Sequence, residues 1–327
     1  MLVAVNYHYV RENYNYPYRA IFGHTPQSFK AQLEALSKHG EFVSQDMIVD
    51  HIENNKRLPG KSIVVTFDDG LKEQYNVARP ILERMGIPAI YYINPINIER
   101  REVSTVHQIH FLRSFYSPVD LIESLNLDQG SITLQKKEKK QAERHYNYDE
   151  SASAWLKYIL NFKLDGNRQR KVINKLFKKL FDNPEEKAKE LYMGKKELKL
   201  LASQNALGSH TYQHFPIGLI GVDRALLEIE ISMKFFKNHF RYIPASISYP
   251  YGSFEAVGEY GPQIAKGAGH TFGFTMERAG NFKITDEPLM LARFDCNDVP
   301  GGKSNLFSKK SNFFNQLNDR TWHRTRK

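Results

Sequence analysis

Ser62-Ile63-Val64-Val65-Thr66-Phe67-Asp68-Asp69-Gly70 begins with a run rich in β-branched side chains and closes on two carboxylates and a glycine. A run of this length and composition predicts a strand buried on both faces. The Asp-Asp-Gly that follows predicts the turn that ends it. Downstream, a helix is expected over about Asn76–Met85, then Gly86 and a second apolar strand, Ala89–Ile93. Upstream, Thr25-Pro26-Gln27-Ser28 leads into Phe29, Leu33 and Leu36, whose spacing fits an amphipathic helix ending near Gly40. Before that helix, Met1–His8 reads as a first strand. Strand and helix alternating in short units predict a parallel α/β sheet.

From about Ile96 to Ser203 the pattern changes to long polar, Lys-rich helices, expected over Ala154–Phe162, Lys171–Phe181 and Glu185–Leu201. The alternation then resumes. Strands are expected at Ala206–Ser209, Ala245–Tyr249, Thr271–Thr275 and Leu289–Phe294, with helices over Arg224–Phe240 and around Gln263–Lys266. Five or six β/α units interrupted by one insertion fit a barrel better than two separate domains. The tail from Gly301 is rich in Gly, Ser, Asn and Lys and is expected to be mobile.

Composition narrows the chemistry. The 327 residues are 41% hydrophobic and 13% aromatic, with a mean hydropathy of −0.53, as in a globular protein with a real core. Its single cysteine, Cys296, excludes an internal disulfide and a cysteine-built zinc site, so a metal would need histidine and carboxylate ligands. A net charge of +10 suggests a polyanionic partner until it is located. Residues 136–200 carry a balance of +8 and residues 303–327 one of +6, leaving the rest of the chain at −4. A mildly acidic body repels a phosphate backbone, which argues against nucleic acid. The opening residues lack a basic segment, an apolar stretch and a cleavage site, so a cytoplasmic location is expected. No apolar run is long enough to span a membrane.

Two motifs stand at the ends of expected strands, where an α/β barrel carries its site. In Thr66-Phe67-Asp68-Asp69-Gly70, neighbouring carboxylates leave the strand in different directions, so one can take a metal and the other a proton. In His210-Thr211-Tyr212-Gln213-His214, histidines at i and i+4 would share one helical face and converge on one ion. Taken singly, the first could be only a turn and the second only a helix surface. Together they offer Asp, His and His, three ligands that leave a position for substrate, and a spare carboxylate for general base work.

With these residues in view, the chain resembles the polysaccharide deacetylases of carbohydrate esterase family four, which include chitooligosaccharide and peptidoglycan deacetylases. The family's first motif, Thr-Phe-Asp-Asp-Gly, is met by Thr66–Gly70, and its second, His-Ser/Thr-x-x-His, by His210–His214. Its third ends Pro-Tyr-Gly, as do Pro250, Tyr251 and Gly252. The likeness covers about residues 1–95 and 205–300. It implies a distorted (β/α)7 barrel over 1–300 and leaves unexplained the helical insertion read at about 96–203 and the basic tail at 301–327.

By that resemblance Asp68 is the general base, and Asp69, His210 and His214 hold a divalent metal, usually zinc, with Co2+, Ni2+ or Mn2+ also suited to such ligands. The backbone N–H of Tyr251 would help bind the oxyanion. The implied reaction is hydrolysis of an N-acetyl group from an amino sugar in a glycan or glycan precursor, in surface polysaccharide biosynthesis. The usual late Leu-x-x-His general acid is missing. A subgroup that includes exported poly-N-acetylglucosamine deacetylases takes this histidine from a Tyr-His on the first strand, which Tyr7-His8 resembles; the alternative is a packing residue. The third-motif arginine is also missing, with Ser248 in its place. Arg293 is expected to replace it beside Asp68, with Asp295 orienting His8, unless the two form only an ordinary salt bridge.

Other features stay open at this point. His107 and His110 fit either a substrate lid or an ordinary helix face. Tyr14, Tyr16 and Tyr18 fit either sugar stacking or loop anchoring. Two rival functions remain: a metal amidase acting on a small C–N substrate, and a basic non-catalytic protein that binds nucleic acid or membrane. The basic insertion and tail are read as attachments that dock the enzyme peripherally on an anionic bilayer or a carrier phosphate.

Overall fold

The computed structural model describes residues 1–129, 132–146, 150–164, 166–309, 311–322 and 324. Among the described residues, eight strands form one sheet: β1 (Leu2–Tyr7), β2 (Glu41–Phe42), β3 (Ser62–Phe67), β4 (Ala89–Ile93), β5 (Leu207–Ser209), β6 (Ser246–Ser248), β7 (Phe272–Phe274) and β8 (Phe294–Asp295). Every ladder is parallel, in the order β7-β6-β5-β4-β3-β1-β8, with β2 beside the start of β3. Leu291 bridges Phe274 in β7, and Phe294 then pairs with Val5 in β1. This last segment therefore links the two ends of the sheet and closes a distorted (β/α)7 barrel.

The sequence explains the closure. All six residues of β1 and of β3 are buried, as expected for parallel strands covered on both faces. Val3, Val5, Tyr7, Ile63, Val65 and Phe67 pack outward against Phe29, Leu33 and Leu36 of the helix Pro26–Ser37. Leu2, Ala4, Val64, Ile90, Tyr92, Phe272 and Phe274 point the other way, into the barrel. Thr25 caps the helix through a reciprocal bond with Ser28, a device worth about 1 kcal/mol. Gly208 in β5 is obligatory, because a Cβ there would lie 2.1 Å from the Tyr92 ring.

The expected late strand Leu289–Phe294 is only partly a strand: Pro288–Met290 make a 3-10 turn, and pairing in β8 starts at Phe294. The expected helix Glu185–Leu201 is two helices, Pro184–Leu191 and Lys195–Ser203, separated before Gly194. The helix after β3 contains a single π turn, Gln74–Ala78, before it continues as Arg79–Met85.

The chain divides into two compact units. One contains Met1–Glu12, Gly23–Arg100 and the chain from Lys189 onward; the other contains Asn13–Phe22 and Arg101–Ala188. The second unit is helical, with helices at Thr105–Phe115, Pro118–Gln129, Lys136–His145, Ser151–Tyr158 and Gly166–Leu180. Leu112, Leu121, Leu125, Leu156, Val172 and Ile173 form its own core. In it, Tyr16 meets the rings of Phe111 and Phe115 edge-on, which is loop anchoring, and His107 is buried on its helix. Lys195–Ser203, part of the expected insertion, instead packs Leu198, Leu201 and Ala202 into the core around the sheet.

The tail differs from the expectation of mobility. Phe313 and Phe314 are buried in the main core, and Arg320 is 1% exposed. The Arg320 guanidinium donates to the carbonyls of Lys283, Asp286, Glu287 and Met290. Among the described residues, no helix is long and apolar enough to cross a membrane.

Candidate metal centre

The C-terminal ends of the parallel strands bring the sequence motifs together. Asp68 and Asp69 leave β3, His210 and His214 leave β5, Ser248 to Gly252 leave β6, and His8 leaves β1. Asp69 adopts φ 75°, and Gly70 follows at φ 64°, so the chain reverses at once and the two carboxylates diverge. A Cβ at Gly70 would lie 2.8 Å from Ile93, so the turn fits only glycine there.

His210 and His214 do not share a helical face. The residues between them form an irregular loop, with Thr211 at φ 59° and His214 at φ 62°. Asn94, just beyond β4, donates to the carbonyls of His210 and Thr211 and fixes that loop. The convergence comes from backbone reversal and not from helical periodicity. His214 Nε2 lies 3.3 Å, and His210 Nε2 3.6 Å, from Asp69 Oδ1. The three side chains offer donor atoms within 4.8 Å of one another. Around a tetrahedral zinc with bonds of about 2.1 Å, ligand atoms sit roughly 3.4 Å apart, so this donor set fits a divalent ion.

Electrostatics favour the same use. His210 Nδ1 lies 2.7 Å from the Ser248 carbonyl and donates to it, which leaves Nε2 with its lone pair toward Asp69. Burial is the main cause that lowers the His210 pKa, to about 4, so the ring is neutral and able to ligate.

The Asp68 carboxylate accepts three hydrogen bonds from two residues. The Arg293 guanidinium grips it in a fork, Nη1 to Oδ1 at 2.9 Å and Nη2 to Oδ2 at 2.8 Å. Asn6 Nδ2 donates to Oδ2 at 3.0 Å, while Asn6 Oδ1 accepts from Arg293 at 3.1 Å. Arg293 Nη2 also reaches Ser248 Oγ at 2.8 Å, so its guanidinium lies beside the position where the family motif has arginine. Burial works to raise the Asp68 pKa, but the Arg293 charge, His210 and the fork itself outweigh it and hold the carboxyl at about 2.

The remaining candidates divide. His8 is 38% exposed, with Nε2 3.9 Å from Asp69 Oδ2, at the open side of the ligand set. Asp295 does not orient it: Asp295 Oδ1 accepts from the backbone and side chain of Asn297 and caps the turn Cys296–Asp298. The carboxylate is used where the chain leaves β8, and no bond joins it to His8 among the described residues. Tyr251 has φ 62° and is 58% exposed, its ring edge-on to His214. Pro250 precedes it, buried at the end of β6. Gly252 accepts from Met276 N, and a Cβ there would meet that nitrogen at 2.8 Å.

Asn6 was missed in the sequence although it signals itself, as the one amide in an otherwise apolar run of β1. Gln74 and Asn94 carried no such signal, because each acts on backbone carbonyls brought close only by the fold.

No family model matches the chain, and no curated protein does. Solved structures do. IcaB from Ammonifex degensii is 18% identical with a TM-score of 0.53, covering 90% of each chain. A de-N-acetylase from Aggregatibacter actinomycetemcomitans is 17% identical with a TM-score of 0.51, covering 93% of this chain and 97% of that one. The Streptococcus pyogenes deacetylase PplD, solved in complex with acetate, is 16% identical with a TM-score of 0.50, covering 90% and 91%. At such identities the likeness is one of fold.

Proposed function

We propose that this chain, which has the fold of the polysaccharide deacetylases, is a metal-dependent N-deacetylase acting on an amino sugar of a glycan or glycan precursor. The observation that carries this reading is the trio of buried Asp69, buried His210 and half-buried His214, whose donor atoms are spaced for one ion beside a second, arginine-held carboxylate. Three protein ligands are the number used at catalytic zinc sites, where structural sites use four. Zinc is the proposed metal, and Co2+, Ni2+ and Mn2+ suit the same donors. When bound, the ion supplies Lewis acidity toward the acetyl carbonyl and the attacking water.

The residues divide the remaining work. Asp68, ionised and fixed by Arg293 and Asn6, accepts the proton of the attacking water. The Tyr251 N–H supports the negative charge that develops on the acetyl oxygen. His8, at the exposed side, donates a proton to the departing nitrogen, so that acetate and a free amine leave. The de-N-acetylase and the acetate-bound deacetylase among the similar structures support this reaction class. The helix Gly166–Leu180, with six Lys or Arg and no acidic residue, supports peripheral contact with an anionic membrane or a carrier phosphate.

The test is acetate release from N-acetylglucosamine oligomers, run beside small acetamides. Zinc-loaded protein is expected to release acetate from the oligomers and to stop when Asp69→Asn or His214→Ala is introduced. Release from the small amides alone would replace the sugar by a simpler substrate, and release unaffected by either substitution would refute the metal site.

A further inference from the structure

The parallel ladder between β1 and β3 ends where the site begins. Its last residue pair is Tyr7 and Phe67, and the final backbone bond runs from Asp68 N to the Tyr7 carbonyl at 3.1 Å. One step beyond lie the carbonyls of His8 and Asp68. Both are met by one side-chain amide: Gln74 Nε2 donates to the His8 carbonyl at 3.0 Å and to the Asp68 carbonyl at 2.6 Å. Gln74 is fully buried, so neither bond is exchanged with solvent. The amide orientation follows from chemistry, since an oxygen facing two carbonyls would find no donor.

The backbone brings Gln74 to that point through an irregularity. Gln74 is the first residue of the π turn Gln74–Ala78, where the Arg79 N–H returns to the Gln74 carbonyl five residues back. A regular helix would rotate the side chain away by the width of the extra residue.

We propose that Gln74 is a positioning residue, acting as one further rung between β1 and β3 that fixes His8 and Asp68 relative to each other. The proposal rests on the reading of Asp68 as base and His8 as acid. Under that reading the two must meet opposite ends of one scissile C–N bond, and misplacement by about 1 Å costs on the order of 100-fold in rate. Gln74 touches neither side-chain carboxylate nor imidazole. It should therefore affect the chemical step more than the affinity for substrate or metal.

The experiment compares Gln74→Met, which keeps length but removes both donors, and Gln74→Glu, which turns an acceptor toward both carbonyls. Each is made alone and in a His8→Ala background, with zinc affinity and amide hydrogen exchange measured in parallel. The expected result is a fall in kcat of at least tenfold, with KM within twofold and zinc Kd within threefold. In the His8→Ala background the further loss should stay below twofold, because the acid that Gln74 positions is already gone. Exchange should rise at both turns, residues 8–10 and 68–70. A kcat loss under threefold, a full multiplicative loss without His8, or a loss that follows zinc affinity would each overturn the proposal. Absence of acetate release by zinc-loaded wild type would instead refute the deacetylase reading; exchange unchanged at both turns would then refute the rung itself.

Discussion

Arg293 is the residue whose role depends most on the fold. It stands far from Asp68 in the chain, yet its fork occupies both carboxylate oxygens while Ser248, Asn6 and Thr66 also accept from it. Arg293→Ala leaves a buried carboxylate without its counter-charge, and breaking a buried pair in this way costs about 3–5 kcal/mol. We expect a clear drop in the urea midpoint together with at least a tenfold loss in kcat/KM. Arg293→Lys should restore charge and part of the stability but not activity, because an ammonium cannot make the fork. Steady-state kinetics and urea denaturation of both variants check this, and retention of activity within twofold in Arg293→Ala would contradict it. Asp68, Asp69, His210 and His214 were legible in the sequence because each leaves a recognisable strand within a short motif. The partnership of Arg293 with Asp68 could be inferred only from a missing arginine, whereas the use of Asp295 as a cap is a local backbone matter that the motif did not reveal. A second residue-scale expectation concerns pH. Burial is the main cause lowering His24 and His270 to about 4 from an ordinary value of 6.5, so both are neutral in the folded protein. The unfolded chain takes up their protons first, so the stability they permit is complete above about pH 6.5 and is lost as pH falls toward 4. His270 Nδ1 lies 2.9 Å from the Pro244 carbonyl, a contact that Asn can reproduce without titrating. His270→Asn should therefore show a smaller fall in urea midpoint between pH 7 and pH 5 than wild type; an equal fall would contradict the assignment.

At the scale of elements, the C-terminal tail is a brace and not an appendage. Glu277 follows β7; its carboxylate accepts from Thr321 and Trp322, while its carbonyl accepts from Arg293 N. Arg320 ties down the loop between Lys283 and Met290, which leads directly to Arg293. Arg320→Ala leaves four carbonyls without this donor, and each buried group left unsatisfied costs about 1–3 kcal/mol. We expect the melting temperature to fall by several degrees and kcat to fall with it; equal thermal stability in the variant would show the brace to be idle. Composition concealed this element, since its Gly, Ser, Asn and Lys are those of a mobile tail and the anchoring is done by single side chains. Phe313 and Phe314 were the visible clue. The strands, by contrast, were legible almost to the residue in Ala89–Ile93 and Ser62–Phe67, where β-branched and aromatic residues fill both faces. The loop from His210 to His214 was misread as a helix because spacing alone cannot distinguish a helical turn from two left-handed residues.

Across the whole molecule, the basic charge is unevenly distributed. The formal charge of +10 is concentrated in residues 136–200 and 303–327, and the helix Gly166–Leu180 presents much of it on an exposed face while Val172, Ile173, Leu176 and Phe177 are buried. Retention on vesicles containing anionic lipid is expected to weaken steeply between 50 mM and 300 mM salt and to be reduced by reversing Lys171, Lys175 and Lys178; salt-independent retention would remove electrostatics as its cause. The barrel itself was legible from the alternation of short strands and helices. The inclusion of Asn13–Phe22 in the helical unit was not, because a short loop segment carries no periodicity to assign it. The proposed chemistry depends on an ion held by Asp69, His210 and His214. The most direct measurement is a titration of metal-free protein with zinc while acetate release from an N-acetylglucosamine oligomer is followed. The rate is expected to rise in proportion to zinc and level off at about one equivalent, with no rise in Asp69→Asn. Zinc bound by the trio at that stoichiometry, with no acetate released, would contradict it.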